Sequence, residues 1–230
     1  SENEYIFYKK DELLRARDEN IFLANEKLIM QMINIHFIIT YDNEKYYNLG
    51  TTYAITKKEN SKTDLKYLLS ILNSELIKFY YLKKFTNESS LTNAISTQNL
   101  FNIPIKEISI ENQQPFIEKA DQMLSLNKEL QELSAKFQRN LQREFSLETL
   151  SKKLQNWYEL SFADFLKELA KAKLNLTLSQ KAEWEDYFLA EQQKAISIKS
   201  QIDQTDKEID QMVYELYGLT EEEIKIVENS

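Results

Sequence analysis

Glycine and proline are almost missing from this chain, with two of each in 230 residues where ordinary globular usage is roughly 7% and 5%. Tight turns are therefore scarce, long helices must dominate, and a sandwich or barrel throughout is not expected. Cysteine is absent, which excludes a disulfide framework and thiolate metal sites and suits a reducing, cytoplasmic setting. The one histidine, His36, would have to serve any Ser/His/Asp centre, yet it lies in a strand-like run and reads as a packed or edge residue. One His without Cys cannot make the usual zinc ligand set. Gly50 and Gly218 alone cannot build a Gly-rich phosphate loop. No apolar run approaches ~18 residues and no charged n-region precedes an h-region, so neither a membrane span nor a secretory signal is expected. The chain opens on Ser1 rather than Met, and we expect an excised piece of a larger protein.

The charge that is present is unevenly spread. Residues 1–110 carry 14 basic and 14 acidic side chains, whereas 111–230 carry 15 and 23, which accounts for the whole net charge of −8. Both prolines, Pro104 and Pro115, fall at that junction, where a chain leaving a sheet would enter a long helix. The acidity argues against polyanion binding by the whole surface but leaves room for a local basic face on the first half.

That first half alternates in character. Tyr5-Ile6-Phe7-Tyr8, residues 27–32, residues 34–41 and the run TTYAIT at 51–56 read as strands, with a polar turn at Asp42-Asn43-Glu44-Lys45. Asp64 can cap a helix whose apolar spacing puts Leu65, Leu68, Leu69, Leu72, Leu76, Phe79 and Tyr80 on one buried face. Strands interrupted by a helix, then Ile103-Pro104-Ile105, point to a small mixed α/β domain over 1–110. The second half, 111–230, reads as a helical spacer domain: a long helix over 114–145, a helical insertion over 146–183, a return helix over 184–217 and a short helix over 220–228. Phe188, Ala195, Ile202, Ile209 and Leu216 recur every seven residues, as helices wrapped on one another require. At about 1.5 Å per residue each long helix would run about 45–50 Å. Gly218 supplies the helix stop. The fold class expected is α+β, a small mixed α/β domain followed by an antiparallel helical hairpin with an elaborated tip.

Two acidic groups invite a catalytic reading and do not sustain it. Glu221-Glu222-Glu223 after Thr220 is the capped first turn of a helix. Asp203, Asp206 and Asp210 flank the apolar seam and read as its solvent side. What remains is a surface for nucleic acid in residues 1–110. Lys9-Lys10, Arg15, Arg17, Lys57-Lys58 and Lys83-Lys84 sit at element ends or in connections, with Tyr5, Tyr8, Tyr46, Tyr47 and Tyr53 near some of them. Such groups neutralise phosphates, and loop Asn, Gln and Arg read base edges.

Three stretches, taken in order, resemble the target-recognition region of type IIG restriction-modification enzymes and related type II adenine-specific DNA methyltransferases. They are residues 47–85 with TTYAIT and LKYLLSILNSELIKFYYLKKF, residues 95–108 with STQNLFNIPIKEI, where a helical turn leads into an I-P-I strand, and the ending IDQMVYELYGLTEEEIKIVE over 209–228. The long helix pair resembles the spacer helices of type I specificity subunits, which hold recognition domains at a fixed separation. The resemblance implies that a methyltransferase domain with an S-adenosylmethionine site precedes Ser1 in the parent protein. It also implies that Mg would serve any nuclease there, and that these 230 residues hold neither cofactor nor catalytic centre. Leu72-Asn73-Ser74, Ile103-Pro104-Ile105 and residues 214–219 then read as architectural, Asn73 and Ser74 placing the helix against the sheet.

The resulting expectation is a sequence-specific double-stranded DNA recognition module that positions the parent's own methyltransferase domain, possessing no membrane partner and acting in the cytoplasm. Lys9, Lys10, Arg15, Arg17, Lys27, Lys57, Lys58, Lys83, Lys84 and Asn87 are the expected DNA contacts. The rival reading is a helical protein-interaction or subunit-assembly module that self-associates through its heptads without touching DNA.

Overall fold

A computed structural model describes residues 18–32, 37–48, 50–85 and 95–230. The expected strand at Tyr5-Ile6-Phe7-Tyr8 and His36 lie outside these residues. The architecture is α+β, with a small antiparallel sheet and long helices. By contacts, the described residues up to Ala120 together with Ile209–Ser230 form one unit, here called the head, and Asp121–Glu208 form a second, helical unit.

The head starts with α1 (Glu19–Phe22), whose first turn is capped by the Asp18 carboxylate accepting the Asn20 N–H at 3.2 Å. Three short strands follow, β1 (Lys27–Gln31), β2 (Ile39–Asp42) and β3 (Thr52–Ile55). They pair in the order β2-β1-β3, both neighbours antiparallel to the central strand. Pleating puts Leu28 and Met30 of β1 on one face, where both are fully buried with Ile39, and puts Lys27 on the other. Helix α2 (Leu65–Asn73) covers the apolar face, and Asn73 fastens it by donating from Nδ2 to the Ile39 carbonyl of β2 at 3.1 Å.

The single helix expected from Asp64 onward is two helices. The backbone of Ser74 is extended (φ −66°, ψ 151°), ending α2, and α3 (Glu75–Phe85) begins directly after it. In α2 the expected Leu65, Leu69 and Leu72 are buried together with Tyr67 and Ile71, whereas beyond the break the phase is reset, so Ile77 and Tyr81 are buried while the expected Leu76, Phe79 and Tyr80 are only half-buried. The new N-terminus is tied down from far along the chain: the Glu75 N–H donates to the Asp210 carboxylate at 2.9 Å. Asp210 therefore serves as a helix cap and not, as its position in the heptads suggested, as part of a solvated face.

After the short helix α4 (Thr97–Phe101), Ile103-Pro104-Ile105 joins no sheet, so the expected I-P-I strand does not form. Pro104 has no N–H to offer a ladder, and tyrosine hydroxyls take the backbone groups that a partner strand would have used. Tyr217 donates to the Pro104 carbonyl at 2.6 Å and accepts the Lys106 N–H at 3.2 Å, while Tyr67 donates to the Lys106 carbonyl at 2.6 Å. Burial, reinforced by the neighbouring Tyr217, pushes the Tyr67 phenol up to about 12. Lys106 closes the joint by donating from Nζ to the Leu216 carbonyl at 2.6 Å. The C-terminal α9 (Glu221–Glu228) carries the expected capping box between Thr220 and Glu223, and that bonding holds the Glu223 carboxyl below its usual range.

Two long helices, α5 (Ile110–Phe145) and α8 (Leu178–Tyr217), contribute residues to both units. Within the helical unit they enclose α6 (Lys152–Gln155), a 3-10 turn (Trp157–Glu159) and α7 (Phe162–Lys171). The core there is aromatic. Phe137 stacks on Trp157 with ring centroids 3.7 Å apart, and Phe165, Phe188, Leu141 and Leu169 are buried around them.

Three helices stop on the same device. Leu219 and Gly218 donate to the Tyr214 and Glu215 carbonyls at 3.0 and 3.1 Å, with Gly218 at φ 74°. A Cβ at Gly218 would meet nothing within 4 Å, so the left-handed backbone alone calls for glycine there. Lys173 (φ 63°) and Ser146 (φ 50°) hold the equivalent place after α7 and α5 without that freedom. Lys173→Gly should therefore raise stability by about 1 kcal/mol, read as a higher denaturant midpoint at constant slope; a lowered midpoint would contradict it.

Candidate nucleic-acid interface

Register fixes what each end of the sheet carries. At one end Lys27 faces Asp42 across β1 and β2, and Leu28 faces Ile55 on β3. At the other, Gln31 faces Thr52, and the Met32 carbonyl accepts the Ile95 N–H at 2.8 Å.

Lys57 and Lys58 are exposed just after β3, beyond the Lys27 end. Lys83 and Lys84 are exposed in the last turn of α3, with Lys83 Nζ 5.9 Å from the Phe79 ring centre and Lys84 Nζ 5.8 Å from that of Tyr80. In the same helix Tyr81 meets Phe37 edge-on at 4.7 Å, which puts this turn beyond the Gln31 end. The two described pairs thus leave opposite ends of a sheet whose strands are four or five residues long. Lys9, Lys10, Arg15, Arg17 and Asn87, with Tyr5 and Tyr8, lie outside the described residues.

Lys27 is not a surface cation. Its side chain is fully buried, 2.5 Å from the Asp42 carboxylate and 3.0 Å from the Phe22 carbonyl, to which it donates. It has no face to offer a phosphate, and its expected DNA contact is withdrawn. The sequence signal that was passed over is the alternation itself. On a strand with Leu28 and Met30 turned inward, Lys27 lies on the opposite face, and only a closed-over face with a carboxylate in register retains such a charge.

What closes that face is the segment 43–48, beyond β2. Asp42 accepts the Glu44 N–H at 2.8 Å and the Tyr46 N–H at 3.0 Å, so one carboxylate holds both the buried ammonium and the loop backbone. Tyr47 stacks on Phe22 at 4.7 Å and donates to Glu19 at 3.2 Å. Tyr46 donates to Glu44 at 2.7 Å, a bond that, with that carboxylate's charge, holds the phenol above its ordinary range. Asn48 closes the loop, donating from Nδ2 to Thr52 Oγ1 at 2.7 Å. Tyr53, by contrast, is architectural and donates to the Ile95 carbonyl at 2.8 Å.

At the Gln31 end, α4 opens beside Ile95 under a Ser96 cap and exposes Gln98, Asn102 and Phe101, the last at 87%. None of these was singled out from sequence, because an isolated polar-aromatic run carries no periodicity. Among the described residues, no group of three or more His, Asp or Glu is placed to hold a metal ion, and no helix is long and apolar enough to cross a membrane.

A small sheet capped by helices, with lysine pairs and aromatic loops on its exposed ends, has the make-up of a recognition domain that displays loops on a rigid scaffold. Residues 1–105 match the TaqI-like C-terminal specificity domain, a similarity that supports a DNA-recognition module of a restriction-modification enzyme in this part of the chain. Residues 109–213 match a domain of unknown function (DUF8810). No curated protein and no solved structure matches the chain. The matched segment is smaller than the folded head, which is completed by residues 106–120 and Ile209–Ser230.

Proposed function

We propose that the chain recognises a short sequence in double-stranded DNA and thereby positions a methyltransferase domain of its parent protein over an adenine. The match of residues 1–105 to a specificity domain carries the reading. Lysines at the sheet ends supply the sequence-independent docking on phosphates, and polar and aromatic side chains of the exposed loops supply the readout. Affinity should fall as salt rises, because docking releases counterions from the duplex. In this reading S-adenosylmethionine, and Mg if the parent also cleaves, act in other domains of the parent.

The test exchanges residues 1–110 in the full-length parent for those of a relative that methylates a different site, with residues 209–230 exchanged alongside so that Asp210 and Tyr217 keep their own partners. Sequencing the methylated bases should show the donor's site. An unaltered methylation site would overturn the reading.

A further inference from the structure

Loop 43–48 has more order than a surface connection needs. Its backbone hangs on Asp42, whose carboxylate is itself fixed by a fully buried lysine. Lys45 adopts the left-handed backbone (φ 62°), which disfavours most residues with a side chain, lysine among them, by roughly 1–2 kcal/mol relative to glycine. A lysine is nevertheless present there, and its side chain is exposed. Beside it Tyr46 and Tyr47 remain 61% and 48% exposed although the loop's structure is specified from beneath. Exposed aromatics with a cation between polar groups, on a pre-ordered loop, are what a binding surface requires and what a solvated turn does not.

We propose that loop 43–48 is a DNA-contacting element of the head, with Lys45, Tyr46 and Tyr47 as the side chains that touch the duplex. The proposal rests on the DNA-recognition reading and names the part of the head that carries it out. Lys45 neutralises a backbone phosphate, and the tyrosines, each offering a hydroxyl and a ring, contact phosphate, sugar or a base edge. Glu44 of the loop and Glu19 of α1 hold those hydroxyls, so carboxylate acceptors lie beside the cation. That mixture suits readout of a particular sequence, where carboxylates accept from cytosine N4, better than indiscriminate neutralisation. Lys57 and Lys58, exposed beyond the same end of the sheet, add phosphate contacts on its flank.

The experiment measures binding of the 230-residue chain to a duplex retained from a random pool, followed by anisotropy across a range of salt. Lys45→Gly separates a contact from a scaffold role, because glycine favours the backbone there and the variant should be at least as stable as the wild type. It should nevertheless bind about fivefold more weakly, with the slope of log affinity against log salt reduced by about one. The double variant Tyr46→Ala/Tyr47→Ala should lose about tenfold in affinity. Should the wild type retain a duplex while both variants bind with undiminished affinity and slope, the loop proposal is overturned and the DNA reading stands. If the wild type retains no duplex from the pool, the DNA reading itself falls and takes the loop with it.

Discussion

Replacing Lys27 with methionine should lower the stability of the head by about 3–5 kcal/mol. The side chains have comparable length, so the loss is one of charge rather than shape. In the native head the Lys27 ammonium neutralises Asp42 at 2.5 Å and satisfies the Phe22 carbonyl, with the two side chains 0% and 3% exposed. Methionine leaves a buried carboxylate with, among the described residues, only the Glu44 and Tyr46 N–H groups against it. The penalty is that of stranding one charge, which exceeds the net worth of the pair, since forming a buried pair from two solvated ions gains little. Removing both charges, in Lys27→Met/Asp42→Leu, should therefore recover part of the loss but not all, because the loop then loses its backbone acceptors. Denaturant unfolding gives the free energies. Amide exchange at residues 43–48 should accelerate in both variants, since both cut the loop from its anchor. A cost below about 1 kcal/mol for the single change would mean that water reaches the pair and that the loop is held by other means.

In the helical unit the largest effect is expected at Phe137, where alanine should cost about 3–5 kcal/mol. Phe137 is fully buried and stacked between Trp157 (3.7 Å, 15°) and Tyr187 (5.4 Å, 9°), with Phe165, Trp184 and Phe188 presenting edges to it. Truncation removes the ring that these five neighbours share, and aromatic side chains cannot bend to refill such a space. Trp157→Phe provides the contrast. Its indole N–H is buried without a hydrogen-bond partner among the described residues, so the change sheds an unsatisfied donor while keeping a ring in the stack. It should cost less than half as much as Phe137→Ala. Equal losses would show that the core values the second indole ring above the satisfaction of its nitrogen.

The sequence conveyed the α+β class, the three sheet strands and the long helices because each rests on a local period or cap. β3 falls inside TTYAIT, Asp64 caps α2, Thr220 and Glu223 form the box, and Gly218 ends α8. What it did not convey depends on partners distant in the chain. Ser74 breaks an apolar pattern that reads without interruption, and the resulting N-terminus is capped by a residue 135 positions later. The I-P-I segment looks like a strand until two tyrosines occupy the carbonyls of Pro104 and of Lys106 just after it. Lys27 resembles every other lysine until the register sets Asp42 opposite. Of the expected contacts, Lys57, Lys58, Lys83 and Lys84 are exposed as a docking role needs, yet their placement at two ends of the sheet is a matter of topology that spacing does not encode.

The head is closed by residues that follow the helical unit in the chain. Asp210, Leu216 and Tyr217 complete α3 and the Pro104–Lys106 joint, and all lie beyond the 88-residue excursion of Asp121–Glu208. These fastenings cannot form before residue 217 has been synthesised, and a product truncated before Asp210 lacks the bonds that give α3 its start and the joint its shape. Synthesis of the whole helical unit thus comes before completion of the head.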